Sequence, residues 1–411
     1  MRVLFVTWSE KSHFFSMVPL AWAMTTAGHE VRVASQPELA DVITQSGLTA
    51  VPVGTDHRVY EITPDILPAD FELFDFGENR PERLTWPWVR KGYDYSTRFA
   101  FSLFNDTMVD DLVAYCRSWQ PDLIVWEPLT YAGGVAGQVT GIPHARLLWG
   151  PDILGRMRAH FHRLHAEQPA GERDDPLRTW LAGVVERFGC EFDETVVTGR
   201  WTIDQMPAAL RLPLDLDVVP VRFVPYNGPS VVPGWLRHPP ERPRVCLTVG
   251  TTMRDHAGRE VPVADLVEAL ADLDVELVAT LTAAQRETLR RTPEHTRIEE
   301  FVPMNALLPT CSAVIHHGGF GTTSAAMLHG VPQLIVPWLW DTQVKGELLQ
   351  EAGAGLYLPE VTPEAARDNI VRLLEDPAFA AGARALRAEV LAEPTPNDVA
   401  AVLEKRAADA S

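Results

Sequence analysis

His316-His317-Gly318-Gly319-Phe320-Gly321-Thr322-Thr323 is the stretch on which the reading of this chain turns. Upstream of it, Ala313-Val314-Ile315 is apolar enough for a buried strand. Downstream, residues 322–328 suit a helix that ends at His329-Gly330, and residues 331–337 return to a strand. A strand, a glycine turn and a helix in that order bring unpaired backbone N–H groups together at a helix N-terminus, which makes an anion site. The glycines let the backbone approach a phosphate, and His317, Thr322 and Thr323 can donate to its oxygens. A P-loop would need Lys and then Ser or Thr after its last glycine, and a dinucleotide fingerprint would need a third glycine where Ser324 stands. Both patterns fail here, while a bare Gly-x-Gly is equally at home in an ordinary strand-to-helix turn.

With the paired histidines, Pro332, Pro337 and Asp341 at their spacing, the run resembles the donor signature of the GT-B nucleotide-sugar glycosyltransferases. In those enzymes a His-Gly-Gly-x-Gly-Thr turn and its helix hold the donor diphosphate. The resemblance implies an α/β fold of the GT-B kind, two Rossmann-like domains facing across a cleft.

Length agrees with two domains, because single cores stop growing near ~250–300 residues and this chain has 411. A hydrophobic content of 46% beside 22% charged residues belongs to a globular protein. The net charge of -19 argues against nucleic acid as a partner, which is bound through clustered Lys and Arg. It leaves room for a nucleotide, since neutral N–H groups and a helix dipole can hold a diphosphate. No apolar run approaches the ~20 residues of a membrane span, and residues 3–7 after Arg2 are too short for a signal sequence; a cytoplasmic protein is expected. Cys116, Cys190, Cys246 and Cys311 have neither paired metal spacing nor a disulfide framework and read as scattered core thiols.

The first half opens with a strand at residues 3–7, a loop carrying Ser9 to His13, and a helix from about Phe15 to Ala27 closed by Gly28. A second strand at 29–34 completes a βαβ unit, and a third follows at 51–53. His13 thus stands just past the carboxyl end of the first strand, where open α/β sheets bind ligands, and its imidazole can take a proton from an alcohol. Taken alone, such a histidine also suits helix capping or packing. Residues 121–128 read as a buried strand with Glu127 at its end, on the same sheet edge, as a candidate orienter of His13; Asp122 reads as structural. Residues 56–102 read as irregular and aromatic, with Phe71, Phe74, Phe76, Trp86, Trp88, Tyr93 and Tyr95, which suits a lid, a docking surface or simply core. Trp149 ends another strand, and the helix at 153–165 is a candidate acceptor wall; His160, His162 and His165 cannot all share one helix face for a metal.

The proline-rich stretch around 221–243 separates a first domain, residues 1–220, from a second α/β domain, residues 244–392, and a last helical segment, residues 393–411, is expected to cross back onto the first. In the second domain Gly250, Thr251 and Thr252 end the first strand, Phe301-Val302-Pro303 follows another, and Trp338, Trp340, Asp341 and Thr342 follow the strand after the glycine turn. The threonine hydroxyls can donate to phosphate or cap a helix.

The resemblance extends over nearly the whole chain and narrows to macrolide and aromatic-polyketide glycosyltransferases that use thymidine-diphosphate (TDP) deoxysugars. Lys11-Ser12-His13 with Val18-Pro19-Leu20, Glu127-Pro128-Leu129-Thr130, residues 143–152 and Tyr226-Asn227-Gly228-Pro229 are similar to the desosaminyltransferase-like subgroup. It implies an inverting, metal-free transfer of a deoxysugar, an amino-deoxyhexose, to a hydroxyl of an apolar polyketide aglycone. His13 would be the base, with Glu127 behind it and Ser12 and Trp149 toward the acceptor. Gly250, Thr251, Phe301, Val302, Pro303, His317, Gly318, Gly319, Gly321, Thr322 and Thr323 would hold the nucleotide. Trp338, Trp340, Asp341 and Thr342 would meet the sugar; Thr342 stands where the wider family has Gln, which removes a bidentate partner for adjacent hydroxyls. A cytochrome-like auxiliary protein and a homodimer are the partners it implies. A sterol or flavonoid acceptor, an epimerase or hydrolase on the same fold, and a donor-binding subunit without catalysis are the alternatives.

Overall fold

Strands of three to six residues, alternating with helices, fold here into two all-parallel sheets. The computed structural model describes residues 1–59, 74–250, 262–337 and 340–410, with backbone alone at Trp340. Phe71, Thr251, Thr252, Trp338 and the side chain of Trp340 lie outside the described residues.

The first sheet holds β1 (Arg2–Val6), β2 (Glu30–Ser35), β3 (Thr49–Pro52), β4 (Leu123–Trp126), β5 (His144–Leu147), β6 (Trp201–Asp204) and β7 (Val218–Pro220) in the order β3-β2-β1-β4-β5-β6-β7. The second holds β8 (Arg244–Thr248), β9 (Glu276–Thr280), β10 (His295–Glu299), β11 (Ala313–His316), β12 (Gln333–Ile335) and β13 (Gly355–Tyr357) in the order β10-β9-β8-β11-β12-β13. Each is a doubly wound Rossmann-like sheet. In both, the first strand is flanked by the second and the fourth, β1 by β2 and β4, β8 by β9 and β11. There the winding reverses, the helices on either side diverge, and a crevice opens at the carboxyl ends of the strands. Every residue of β4 is fully buried, as are Val3 to Val6 of β1, because helices cover both faces of a parallel sheet.

Several helices begin where the sequence reading does not place them. The helix after β1, α1 (Lys11–Thr26), starts about four residues early, which puts His13 in its first turn instead of a loop. Its cap is Glu10, whose carboxylate accepts from Ser12 N at 3.3 Å and from the Ser12 hydroxyl at 3.1 Å. The aromatic segment is not irregular throughout: α2 (Trp86–Ser96) runs through a π-helical turn, Thr97–Phe101, into Ser102–Asn105. Phe74, Phe76 and Tyr93 are buried, and Tyr93 meets Phe161 of α3 (Ile153–Ala166) at 4.9 Å between ring centroids. For these three rings the core reading holds. The helix of the glycine turn, α4 (Phe320–His329), takes Gly319 as its cap and so starts two residues ahead of Thr322. Next come α5 (Trp340–Glu351) and, last, α6 (Pro396–Ala410).

By contacts the chain forms two compact units. One comprises Met1–Gln205, Leu212–Val221 and Pro394–Ser411; the other comprises Met206–Arg211 and Arg222–Glu393. Within the first unit, α6 lies on α1 and buries Val399, Ala400, Leu403 and Ala407. Arg406 pairs with Asp217, with Nη2 3.0 Å from Oδ1.

Candidate active site

At the reversal of the first sheet, Glu127 follows β4 and His13 follows β1. The His13 Nδ1 lies 2.9 Å from Glu127 Oε2. Glu127 is completely buried, and a carboxylate there survives only if donors surround it. Oε2 also accepts from Trp149 Nε1 at 2.9 Å and from the Leu129 amide at 3.2 Å, and Oε1 accepts from the Thr130 hydroxyl. Burial pushes the Glu127 carboxyl up, but the charge and hydrogen bond of His13, with those of Thr130 and Trp149, outweigh it and hold the group below its ordinary range. Trp8 Nε1 lies 3.0 Å from the same His13 Nδ1. That nitrogen can donate to Glu127 or accept from Trp8, not both, and an ionised Glu127, which can only accept, selects the donating tautomer. Nε2 is then the unprotonated nitrogen, the one that can take a proton.

The surrounding loop is fixed by groups to which the sequence reading gives no role of their own. Thr130 Oγ1 accepts from the Trp8 amide at 2.9 Å. Asn105, fully buried past the π-helical turn, donates to the Leu129 carbonyl at 2.9 Å and accepts from the Ala132 amide at 2.9 Å. Trp149 lies over His13 with ring centroids 4.7 Å apart, so its contacts are with both halves of the pair. The Ser12 hydroxyl is taken by Glu10. Asp122 accepts from the Arg2 amide at 2.7 Å. Two of the three histidines of α3 are occupied separately: His162 faces Glu194 at 3.1 Å and His165 stacks on Phe161.

At the reversal of the second sheet the materials differ. Gly250 has φ +74° and Gly318 φ +89°, values that a side chain would resist. A Cβ on Gly250 would come 2.5 Å from His317 Cε1, and one on Gly319 2.7 Å from His317 Nε2. The glycines are thus the space in which the His317 ring lies. His316 is structural: its Nδ1 accepts from the Gly318 amide at 3.1 Å while Nε2 faces Gln333 Oε1 at 2.9 Å. This uses the Gly318 amide, one of the expected phosphate donors, inside the turn. The Thr323 hydroxyl is likewise spent, donating to the Gly319 carbonyl at 3.0 Å. Phe320, Gly321 and Thr322 remain as the first three residues of α4, whose N–H groups have no carbonyl one turn back. Gly321 is exposed and Thr322 half-buried.

His317 is 7% exposed, and among the described residues its Nδ1 finds no hydrogen-bond partner. Burial, with smaller contributions from His316 and Lys345, pushes its pKa down to about 3, so the ring is neutral at ordinary pH. A neutral imidazole beside unpaired amides donates to an anion without carrying charge. Thr342 and Asp341 belong to the first turn of α5, which packs against the turn: a Cβ on Gly318 would lie 2.9 Å from Thr342 Cβ. Val302 is buried, Pro303 half-buried and Phe301 42% exposed. Phe301 follows β10, near a cavity of about 470 Å³ lined by Leu281, Arg286, Ile298 and Glu300 among others. Among the described residues no group of three or more His, Cys, Asp or Glu is placed to hold a metal ion, and no helix is long and apolar enough to cross a membrane. All four cysteines are free.

The family model for the erythromycin biosynthesis protein CIII-like N-terminal domain matches residues 22–250, and that for its C-terminal domain matches residues 264–405. The chain is 51% identical to a 10-deoxymethynolide desosaminyltransferase of Streptomyces venezuelae, over 99% of this chain and 97% of the relative. It is 48% identical to a 3-alpha-mycarosylerythronolide B desosaminyl transferase of Saccharopolyspora erythraea, over 99% of each. Among solved structures, the glycosyltransferase VinC in complex with dTDP superposes with a TM-score of 0.89 at 44% identity and full coverage of both chains. Spinosyn forosaminyltransferase SpnP follows with 0.83 at 40% identity, over 99% of each.

Proposed function

We infer the reaction from one premise: the chain belongs to the erythromycin biosynthesis protein CIII-like family, and its two Rossmann-like units are those of a GT-B glycosyltransferase. The enzyme transfers a deoxysugar from a TDP-sugar to a hydroxyl of a polyketide aglycone, with inversion, in antibiotic biosynthesis. An amino-deoxyhexose agrees with the desosaminyl relatives.

The residue roles are our proposal. His13 Nε2 removes the proton of the attacking hydroxyl, and the ionised Glu127 stabilises the imidazolium that forms. His317 and the amides of Phe320, Gly321 and Thr322 receive the charge that develops on the departing diphosphate. Donors that are already in place need no reorganisation as the glycosidic bond breaks, and the dipole of α4 adds to them. Asp341 and Thr342 are assigned to the sugar, and Gly250 and the Phe301-Val302-Pro303 turn to the nucleotide; Trp338 and Trp340 for the sugar and Thr251 for the nucleotide are assigned from the sequence alone. Trp149 is assigned to orienting Glu127 as well as to the acceptor side. The observation that carries this reading is the 2.9 Å contact between His13 and a wholly buried carboxylate.

A cytoplasmic location, supported by the four free thiols, an auxiliary protein partner and a homodimer belong to the same proposal. The test is calorimetric titration with TDP and then UDP, in excess chelator. Micromolar binding of TDP, weaker binding of UDP and no effect of chelator are expected. A folded protein that binds neither nucleotide removes the donor assignment.

A further inference from the structure

We propose that Lys345 sets which sugars the donor site accepts, by occupying one of the two carboxylate oxygens of Asp341; this rests on Asp341 facing the donor sugar, as proposed above. Lys345 lies one turn into α5 and is completely buried. Its Nζ stands 2.5 Å from Asp341 Oδ2, and the Asp341 side chain keeps 14% exposure. An ammonium withdrawn from water needs a countercharge, so the pair holds Asp341 in place. Both residues belong to the helix whose first turn packs on Gly318, and Lys345 is close enough to add to the effect of burial in lowering the pKa values of His316 and His317. The lysine is therefore built into the wall of the glycine turn.

A carboxylate with two open oxygens takes an adjacent pair of hydroxyls side by side. With Oδ2 already shared with the buried ammonium of Lys345, the open oxygen of Asp341 is Oδ1, and a second hydroxyl has to compete for the lone pair left on Oδ2. The neighbouring Thr342, 5% exposed, brings a hydroxyl where an amide would bring a second bidentate partner. A sugar that has lost a hydroxyl leaves nothing unpaired against this wall, whereas a fully hydroxylated hexose sets its second hydroxyl against an oxygen weakened as an acceptor by the ammonium beside it. Selection for deoxysugars then comes from an oxygen withheld as much as from contacts made.

The experiment compares the calorimetric affinities of TDP-2,6-dideoxyglucose and TDP-glucose for the wild-type protein, Lys345→Met and Lys345→Gln, with TDP alone as the control for a folded site. The wild-type protein is expected to prefer the dideoxy donor. Lys345→Met, which releases Oδ2, is expected to shrink the ratio about 10-fold, the worth of one charge-assisted hydrogen bond. Lys345→Gln, whose amide still donates to Oδ2, is expected to keep most of the wild-type ratio. Equal losses for both donors in Lys345→Met, with TDP binding retained, would mark a purely structural lysine and overturn the proposal. So would a Lys345→Gln ratio equal to that of the methionine variant. If Lys345→Met does not bind TDP, Lys345→Ala, which leaves room for water beside Asp341, reads the same ratio. A wild-type protein that binds no TDP-sugar at all overturns the donor assignment itself, a result separate from any change in the ratio.

Discussion

The two sheets reverse their winding at corresponding strands, β1 with β4 and β8 with β11, and furnish that place in opposite ways. The first sheet puts a charged group there and saturates it: Glu127 receives four donors and has no exposure. The second puts glycines there and, among the described residues, leaves the His317 Nδ1 and the first amides of α4 without an acceptor. Topology makes the crevice, and the degree of hydrogen-bond saturation decides its use. A saturated carboxylate is suited to orienting its partner, whereas open N–H donors are suited to an incoming acceptor.

The sharpest way to break this contrast is His13→Ala, which should lower kcat by ~10³-fold and leave TDP affinity within about twofold, measured by a transfer assay and calorimetry. An unchanged kcat would remove the base from the first crevice. Gly250→Ala tests the other side. It places a Cβ 2.5 Å from the His317 ring at a positive φ, and should weaken TDP binding by about 2 kcal/mol, or ~30-fold, while the His13 site stays intact.

The contrast also has a pH signature. Burial pushes His316 down to about 4 and His317 to about 3 in the second unit, and His144 to about 4 in the first, all from an ordinary value of 6.5. Between about pH 6 and pH 4 the unfolded chain takes up protons at these rings that the folded one refuses. Stability therefore rises with pH in that window and is lost as pH falls, by about 1.4 kcal/mol per unit for each fully refusing ring. Two such rings lie in the second unit, so its stability is expected to fall by about 2 kcal/mol between pH 6 and pH 5, read by hydrogen exchange, while His29, His144 and His160 give the first unit a slope of its own. A second unit whose exchange does not change between the two pH values would mean that the buried imidazoles of the glycine turn are not held neutral. The smallest effect is expected from Trp149→Phe, which removes one of the four donors to Glu127 and keeps the ring over His13: about a 5-fold loss in kcat with TDP binding unchanged.

What the sequence discloses follows the same division. The glycine turn is legible because only glycine tolerates φ +89° at Gly318 and the approach of His317 to Gly250, so the residue type records the geometry. His13 and Glu127 are legible as residues at strand ends, and strands of Val, Leu and Ile announce themselves. The supports of the pair are not. Thr130, Trp8 and Asn105 act through contacts between segments distant in sequence, and nothing local distinguishes them from ordinary packing residues. Lys345 is invisible for a related reason, because a lysine reads as surface until its burial beside Asp341 is seen. The start of α1 escapes because Glu10 caps it, where Ser, Thr, Asp or Asn would signal a cap more strongly. The helix at 86–105 is hidden by aromatic residues on several faces and by the π-helical turn, which disturbs the 3.6-residue period.

The placement of α6 bears on how such a chain is made. Its apolar face belongs to the core of the unit that contains His13, although the whole of the other unit is encoded between residue 205 and α6. Residues 1–205 leave the ribosome long before α6 exists, so α1 waits with part of its surface uncovered while the second sheet assembles. The second unit can therefore mature first during translation, and the unit that contains His13 becomes complete only once residues 396–410 have been added.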